Sequence, residues 1–217
     1  MAIRLSPHAR LVHFLSSDGL RIEGRLTPGA ADRAVVLCHP HPLYGGSMLT
    51  PVIMTAEQVF QEAGYTTLAF NFRGVGGSQG THGEGRAETA DVEGGLSFLE
   101  ATLGGRPKCQ GVVGYSFGSY VGAQVAASDP RVHFYLGIGP PLNHYDLGIL
   151  KPARCAIALI AGTRDEFCDR ARLEAFSLSL PVMPWFRLLE TDHFFTDALD
   201  DLAQACHDAA AWAVTPR

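Results

Sequence analysis

The sequence predicts one α/β domain over residues 1–217, with a mostly parallel central sheet, helices on both faces and no large cap domain. Three observations carry that expectation. Apolar, β-branched-rich runs recur along the chain, most of the later ones alternate with helical patterns, and the turn Gly114-Tyr115-Ser116-Phe117-Gly118 joins one such run to a helix. Strands that are apolar on both faces mark a buried parallel sheet, and the intervening helices are the crossovers it needs.

The strand-like runs fall at residues 11–15, 20–26, 34–38, 66–70, 110–115, 132–138, 156–161 and 186–190. The first two are expected to form an antiparallel opening hairpin. Between the third and fourth lies a helix over 51–63: Thr50 can cap it, Pro51 suits the first helical position, Val52, Ala56, Val59, Phe60 and Ala63 share a face, and Gly64 stops it. Val92, Leu96, Leu99 and Leu103 form a second stripe, interrupted by Gly94 and Gly95, and a third helical pattern covers 120–127. The last is expected to run from about Thr196 to Trp212, with Leu199, Leu202, Cys206 and Ala209 or Ala210 inward. The connection over 139–153 is too short to carry a lid, which predicts an open site.

Composition narrows the function classes. A 23.3 kDa chain with 47% hydrophobic and 18% charged residues is large enough for one substantial core. A net charge of −5 and a pI near 6.0 leave no basic footprint for nucleic acid or anionic lipid. No apolar stretch approaches the roughly 20 residues needed to span a bilayer. The opening segment carries Arg4, His8 and Arg10 where a signal peptide needs an apolar run, so a cytoplasmic protein is expected. Cys38, Cys109, Cys155, Cys168 and Cys206 are odd in number and include no C-x-x-C pair, which predicts free thiols. No sequence pattern assigns an oligomeric state.

The serine turn is the feature that carries chemistry. A serine hydroxyl becomes nucleophilic when it stands proud of the backbone beside a base and amide donors, and a sharp strand-to-helix turn places it so. In an open parallel sheet the partner groups gather beyond the carboxyl ends of the strands. The loop after 156–161 reads Gly162-Thr163-Arg164-Asp165-Glu166, and the loop after 186–190 reads Thr191-Asp192-His193-Phe194-Phe195. His39, His41, His82, His133, His144 and His207 are other histidines, but only His193 follows the final strand.

With the order Ser116, Asp165, His193 in place, the chain resembles the α/β-hydrolase superfamily. Within it the likeness is to the compact, cap-less group related to dienelactone hydrolases and bacterial serine esterases. The resemblance covers nearly the whole chain, from Cys38-His39-Pro40-His41-Pro42-Leu43-Tyr44-Gly45-Gly46-Ser47-Met48 through Asn71-Phe72-Arg73-Gly74-Val75-Gly76-Gly77-Ser78 to the serine turn and both loops. It implies Ser116 as nucleophile, His193 as general base and Asp165 as orienting acid, with Glu166 and Asp192 as competitors for that last role. It also implies an oxyanion hole made by the Phe117 amide and one amide of the 39–43 loop. Pro40 and Pro42 have no amide hydrogen, leaving His41 or Leu43, and the offset from His39 favours His41.

Leu43, Tyr44, Leu142, Tyr145, Phe167, Phe194 and Phe195 fall on loops or helix starts expected near Ser116, which implies an apolar acyl pocket. With no Lys or Arg cluster in the motif loops, neutral esters or thioesters with short to medium acyl groups are the expected substrates. Acyl transfer through the same acyl-enzyme, or a non-catalytic binding protein on this scaffold, are the alternatives. A serine nucleophile departs from the cysteine of dienelactone hydrolases and from the aspartate of dehalogenases and epoxide hydrolases.

Cofactors are not expected. His39-Pro40-His41 has the spacing of a zinc pair in barrel hydrolases, but the chain is short for that barrel and the serine turn would be unexplained, so no metal is expected. The 74–79 loop ends in Gln79 where a dinucleotide fingerprint needs glycine. Arg73 is expected to tie that loop down.

Overall fold

A computed structural model describes residues 6–213; Arg4 of the opening segment lies outside them. The strands are β1 (Arg10–Leu15), β2 (Arg21–Thr27), β3 (Ala30–Cys38), β4 (Tyr65–Phe70), β5 (Cys109–Tyr115), β6 (Phe134–Ile138), β7 (Ala156–Gly162) and β8 (Trp185–Leu189). They form one sheet in the order β1-β2-β4-β3-β5-β6-β7-β8. β1 and β2 pair antiparallel, β2 meets β4 antiparallel, and every later pairing is parallel.

Alternation along each central strand divides the core in two. Val36 and Cys38 of β3, Leu68 and Phe70 of β4 and Val112 of β5 face one layer, while Val35, Leu37, Ala69 and Val113 face the other. The first layer is covered by α2 (Thr89–Leu103), α3 (Phe117–Ser128) and α4 (Arg170–Ser179), the second by α1 (Pro51–Glu62) and α5 (Leu199–Ala213). At about 25 cal/mol per Å² of apolar surface, these two layers supply the main drive for folding.

Three helices differ in detail from the expectation. Thr50 precedes α1, but its hydroxyl accepts the Ser47 amide at 3.3 Å instead of capping the helix. Gly94 of α2 answers a close approach: a Cβ there would stand 2.3 Å from the carbonyl oxygen of Leu15, so the helix reaches the end of β1 only because that atom is missing. α5 begins at Leu199 rather than Thr196, because Phe195 and Asp197 take left-handed backbone angles with φ of 55° and 56°.

α4 had no counterpart in the sequence reading. Asp169 caps it by accepting the amides of Ala171 and Arg172 at 2.8 and 3.2 Å. Arg73 does tie down the loop after β4: it donates to the buried Asp91 at 2.8 Å and to Asp18 at 3.0 Å. Among the described residues no helix is long and apolar enough to cross a membrane.

Candidate active site

The turn between β5 and α3 holds Ser116 at φ 53° and ψ −119°, a backbone conformation that costs about 1–3 kcal/mol for a side chain of this kind. Neighbouring backbone fixes it there. The Ser116 amide donates to Ile138 of β6 at 2.9 Å, and the Ser119 hydroxyl donates to the Ser116 carbonyl at 2.6 Å. The flanking glycines admit that packing: a Cβ on Gly114 would lie 2.3 Å from the Gly118 carbonyl oxygen, and one on Gly118 would lie 2.2 Å from that of Cys38.

His193 and Asp165 arrive from the loops after β8 and β7. His193 Nε2 lies 2.9 Å from Ser116 Oγ, and its Nδ1 lies 2.9 Å from both carboxylate oxygens of Asp165. Asp165 and His193 are buried, while Ser116 is partly exposed. Asp165 Oδ1 also accepts the amides of Phe167 and Cys168 at 2.8 and 3.1 Å, which fixes the carboxylate before it meets the imidazole. Tyr115 donates its hydroxyl to the His193 carbonyl at 3.0 Å; burial pushes its phenol well above the ordinary range and keeps it a donor. Phe167 and Tyr115 lie beside the imidazole, with ring centres 4.4 and 5.5 Å from it.

The competing acids lie elsewhere. Glu166 is exposed, and the Asp192 carboxylate accepts the Thr196 amide at 3.0 Å. His207 lies on α5, and the His133 ring accepts the Gln110 amide at 3.1 Å.

The loop after β3 is folded against the serine turn. His39 accepts the Phe72 amide through Nε2, and its Nδ1 faces the Pro40 carbonyl oxygen, so both ring nitrogens are engaged within the chain. The His41 imidazole sits 4.8 Å from the Phe117 ring and 4.9 Å from that of His82, and desolvation with the neighbouring His82 holds its pKa below the ordinary value. Its Nδ1 accepts the Leu43 amide at 3.2 Å. That bond engages the Leu43 donor. The amides of His41 and Phe117 have no protein acceptor among the described residues.

A cleft of about 970 Å³ opens over Ser116. Tyr44, Tyr145, Phe167 and Phe194 line it, together with His41 and Phe117. Leu43 and Leu142 do not: the Leu43 side chain is exposed to solvent, and Leu142 packs, partly buried, against the core. Phe195 is also buried, edge-on to Tyr115. Leu49 and Pro141 line the cleft without having been singled out in the sequence, as do Pro51, expected there only as the first residue of a helix, and His144, expected there only as one of the other histidines. Leu49 and Pro141 carry no sequence signal beyond following β3 and β6. Among the described residues no Asp, Glu, Lys or Arg lines the cleft. Among the described residues no group of three or more His, Cys, Asp or Glu side chains is arranged to hold a metal ion.

Comparison with known proteins gives the same architecture. Residues 34–154 match the family model described as alpha/beta hydrolase fold. An uncharacterized protein of Rickettsia prowazekii is 30% identical over 210 residues, 91% of this chain and 87% of its own length. A serine hydrolase without a lid from Xanthomonas campestris superposes with a TM-score of 0.84 at 25% identity, covering 98% of this chain and 99% of its own. A thiohydrolase of Aspergillus aculeatus is 30% identical over 133 residues, 59% of this chain and 41% of its own length.

Proposed function

Because this chain belongs to the α/β-hydrolase family, we propose that it cleaves neutral carboxylic esters or thioesters through an acyl-enzyme on Ser116. The observation that carries the reading is the continuous path from Ser116 Oγ to His193 Nε2 and from His193 Nδ1 to Asp165, with 2.9 Å at each step. Such a path lets the imidazole accept the hydroxyl proton while the carboxylate holds its tautomer and stabilises the imidazolium.

Ser116 Oγ attacks the carbonyl carbon and passes its proton to His193 Nε2. The carbonyl oxygen gains the electron pair and sits against the Phe117 and His41 amides, with the N-terminus of α3 behind the first. Collapse breaks the bond to the leaving oxygen or sulfur, which takes the proton from His193. Water then attacks the acyl-enzyme, gives its proton to His193, and the serine leaves with that proton restored. The uncharged, aromatic lining supports a neutral substrate. The likeness to the Aspergillus thiohydrolase supports keeping thioesters beside esters.

Brief treatment with a fluorophosphonate, followed by intact-mass measurement, tests the reading. One adduct on the parent and none on Ser116→Ala is expected. A folded parent that takes up no label would overturn it.

A further inference from the structure

In the reading above, the oxyanion lies between amides of two separate elements, and the side chains of those two residues meet. His41, on the segment after β3, and Phe117, at the start of α3, pack with ring centres 4.8 Å apart. A third ring closes the group: His82 lies 4.9 Å from His41 and 5.3 Å from Phe117. Among the described residues, Phe117 and His82 are the rings His41 meets outside its own segment; Tyr44, 4.8 Å away, belongs to that segment and is exposed.

His82 does not line the cleft, and the proton path through His193 does not use it. Its seat is nonetheless well defined. The carboxylate of Glu88, fully buried just before α2, accepts the amides of Gly83 and Gly85 at 2.7 and 2.8 Å, which closes the 82–88 turn. The same carboxylate stands 3.0 Å from His82 Nδ1. A bare lone pair would be repelled there, so that nitrogen carries a hydrogen. Gln124 of α3 donates to the Gly85 carbonyl at 2.8 Å and holds the turn to the helix that Phe117 begins.

We propose that His82 is a positioning residue of the oxyanion hole: seated on Glu88, its ring sets the spacing between the His41 and Phe117 amides, a role that rests on the hydrolase reading above. Phe117 is fixed by burial, whereas His41 lies half-buried on a loop, where one ring contact would fix its distance from Phe117 but not its tilt. Contact with His82 as well fixes both. An error of about 1 Å in such a placement can cost about 10²-fold in rate. The loss falls on the transition state, where negative charge develops on the carbonyl oxygen, so it is read in kcat rather than KM.

The test measures kcat and KM for phenyl acetate and for its thiono analogue, in which sulfur replaces the carbonyl oxygen. A sulfur anion is larger and accepts hydrogen bonds weakly, so correctly spaced amides favour the oxygen ester. His82→Ala is expected to lose about 10²-fold in kcat on the oxygen ester, with KM little changed and a much smaller loss on the thiono ester. His82→Phe, which keeps a flat ring, is expected to recover most of that loss; His82→Leu, which fills the space without one, replaces the alanine variant should that protein not fold. If the parent takes up fluorophosphonate but the ringless variant keeps the parent kcat, or loses equally on both esters, or is matched by His82→Phe, the positioning role alone is overturned. A parent that takes up no label overturns the hydrolase reading and the positioning role together.

Discussion

His39 joins two loops: its Nε2 accepts the backbone N–H of Phe72 at 3.0 Å, and its Nδ1 donates to the carbonyl oxygen of Pro40 at 2.6 Å. The imidazole must be neutral to do both, because a protonated Nε2 cannot accept. Burial accordingly pushes its pKa down from 6.5 to about 4. The unfolded chain binds this proton more readily than the folded one between those values, so the stability is fully present above pH 6.5 and is lost as pH falls toward 4. That difference corresponds to about 3 kcal/mol. Urea unfolding across pH 4 to 7 checks it: the parent is expected to lose midpoint steeply, and His39→Gln to show a shallower slope. An equal slope in the variant would assign the acid loss to other groups.

Gly118→Ala tests the approach of the β3 loop to the serine turn. The added Cβ would meet the Cys38 and His39 carbonyl oxygens at 2.2 and 2.5 Å, both of them backbone atoms without a rotamer to move. Folded variant protein is expected to label with fluorophosphonate about 10²-fold more slowly or worse, the scale of losing one oxyanion donor. Parent-like labelling would mean the loop amide plays no part.

These loops show why part of the molecule was legible in sequence and part was not. β3, β4 and β5 are buried on both faces, so their apolar runs stand out, and Gly114 and Gly118 mark the turn because only glycine fits there. Asp165 and His193 were readable because the sheet order forces their loops to one edge of the sheet. α4 was not, since Leu173 and Ser177 are its buried residues and they make no apolar stripe. The placing of Leu49 and His144 on the cleft depends on loops far apart in sequence. No local periodicity records such contacts.

A buried ion pair braces the same loop from below. Arg25 of β2 donates through Nε to both carboxylate oxygens of Glu57 on α1, at 3.2 and 3.3 Å, and through Nη2 to the Met48 carbonyl at 3.2 Å. Removing one partner leaves a buried charge unmatched, so Glu57→Ala is expected to cost about 3–5 kcal/mol. The double variant Arg25→Met with Glu57→Leu should recover most of that loss. Urea midpoints of the two single variants and the double decide it; purely additive losses would contradict the pairing.

Thiol chemistry offers a separate check on the nucleophile. Cys168 lies three residues beyond Asp165, and burial with the neighbouring carboxylate pushes its thiol up to about 12; burial puts Cys155 at about 11 and Cys206 at about 12. All three stay protonated and unreactive at neutral pH. Iodoacetamide at pH 7.5 is expected to leave fluorophosphonate labelling unchanged, whereas parallel loss of labelling would point to a thiol at the site.

Asp165→Asn separates orientation from architecture. Asparagine keeps an oxygen that can accept the Phe167 and Cys168 amides, now held at 2.8 and 3.1 Å. It cannot, with the same oxygen so engaged, hold the Nδ1 proton of His193 as a carboxylate does, and its NH₂ favours an imidazole protonated on Nε2. That tautomer has no lone pair for the Ser116 hydroxyl. Turnover is expected to fall by about 10⁴-fold while the urea midpoint changes little. Glu166, exposed to solvent, and Asp192, engaged with the Thr196 amide, are not placed to replace it. Undiminished turnover in the variant would transfer the orienting role away from Asp165 and with it the requirement that a carboxylate touch His193 Nδ1.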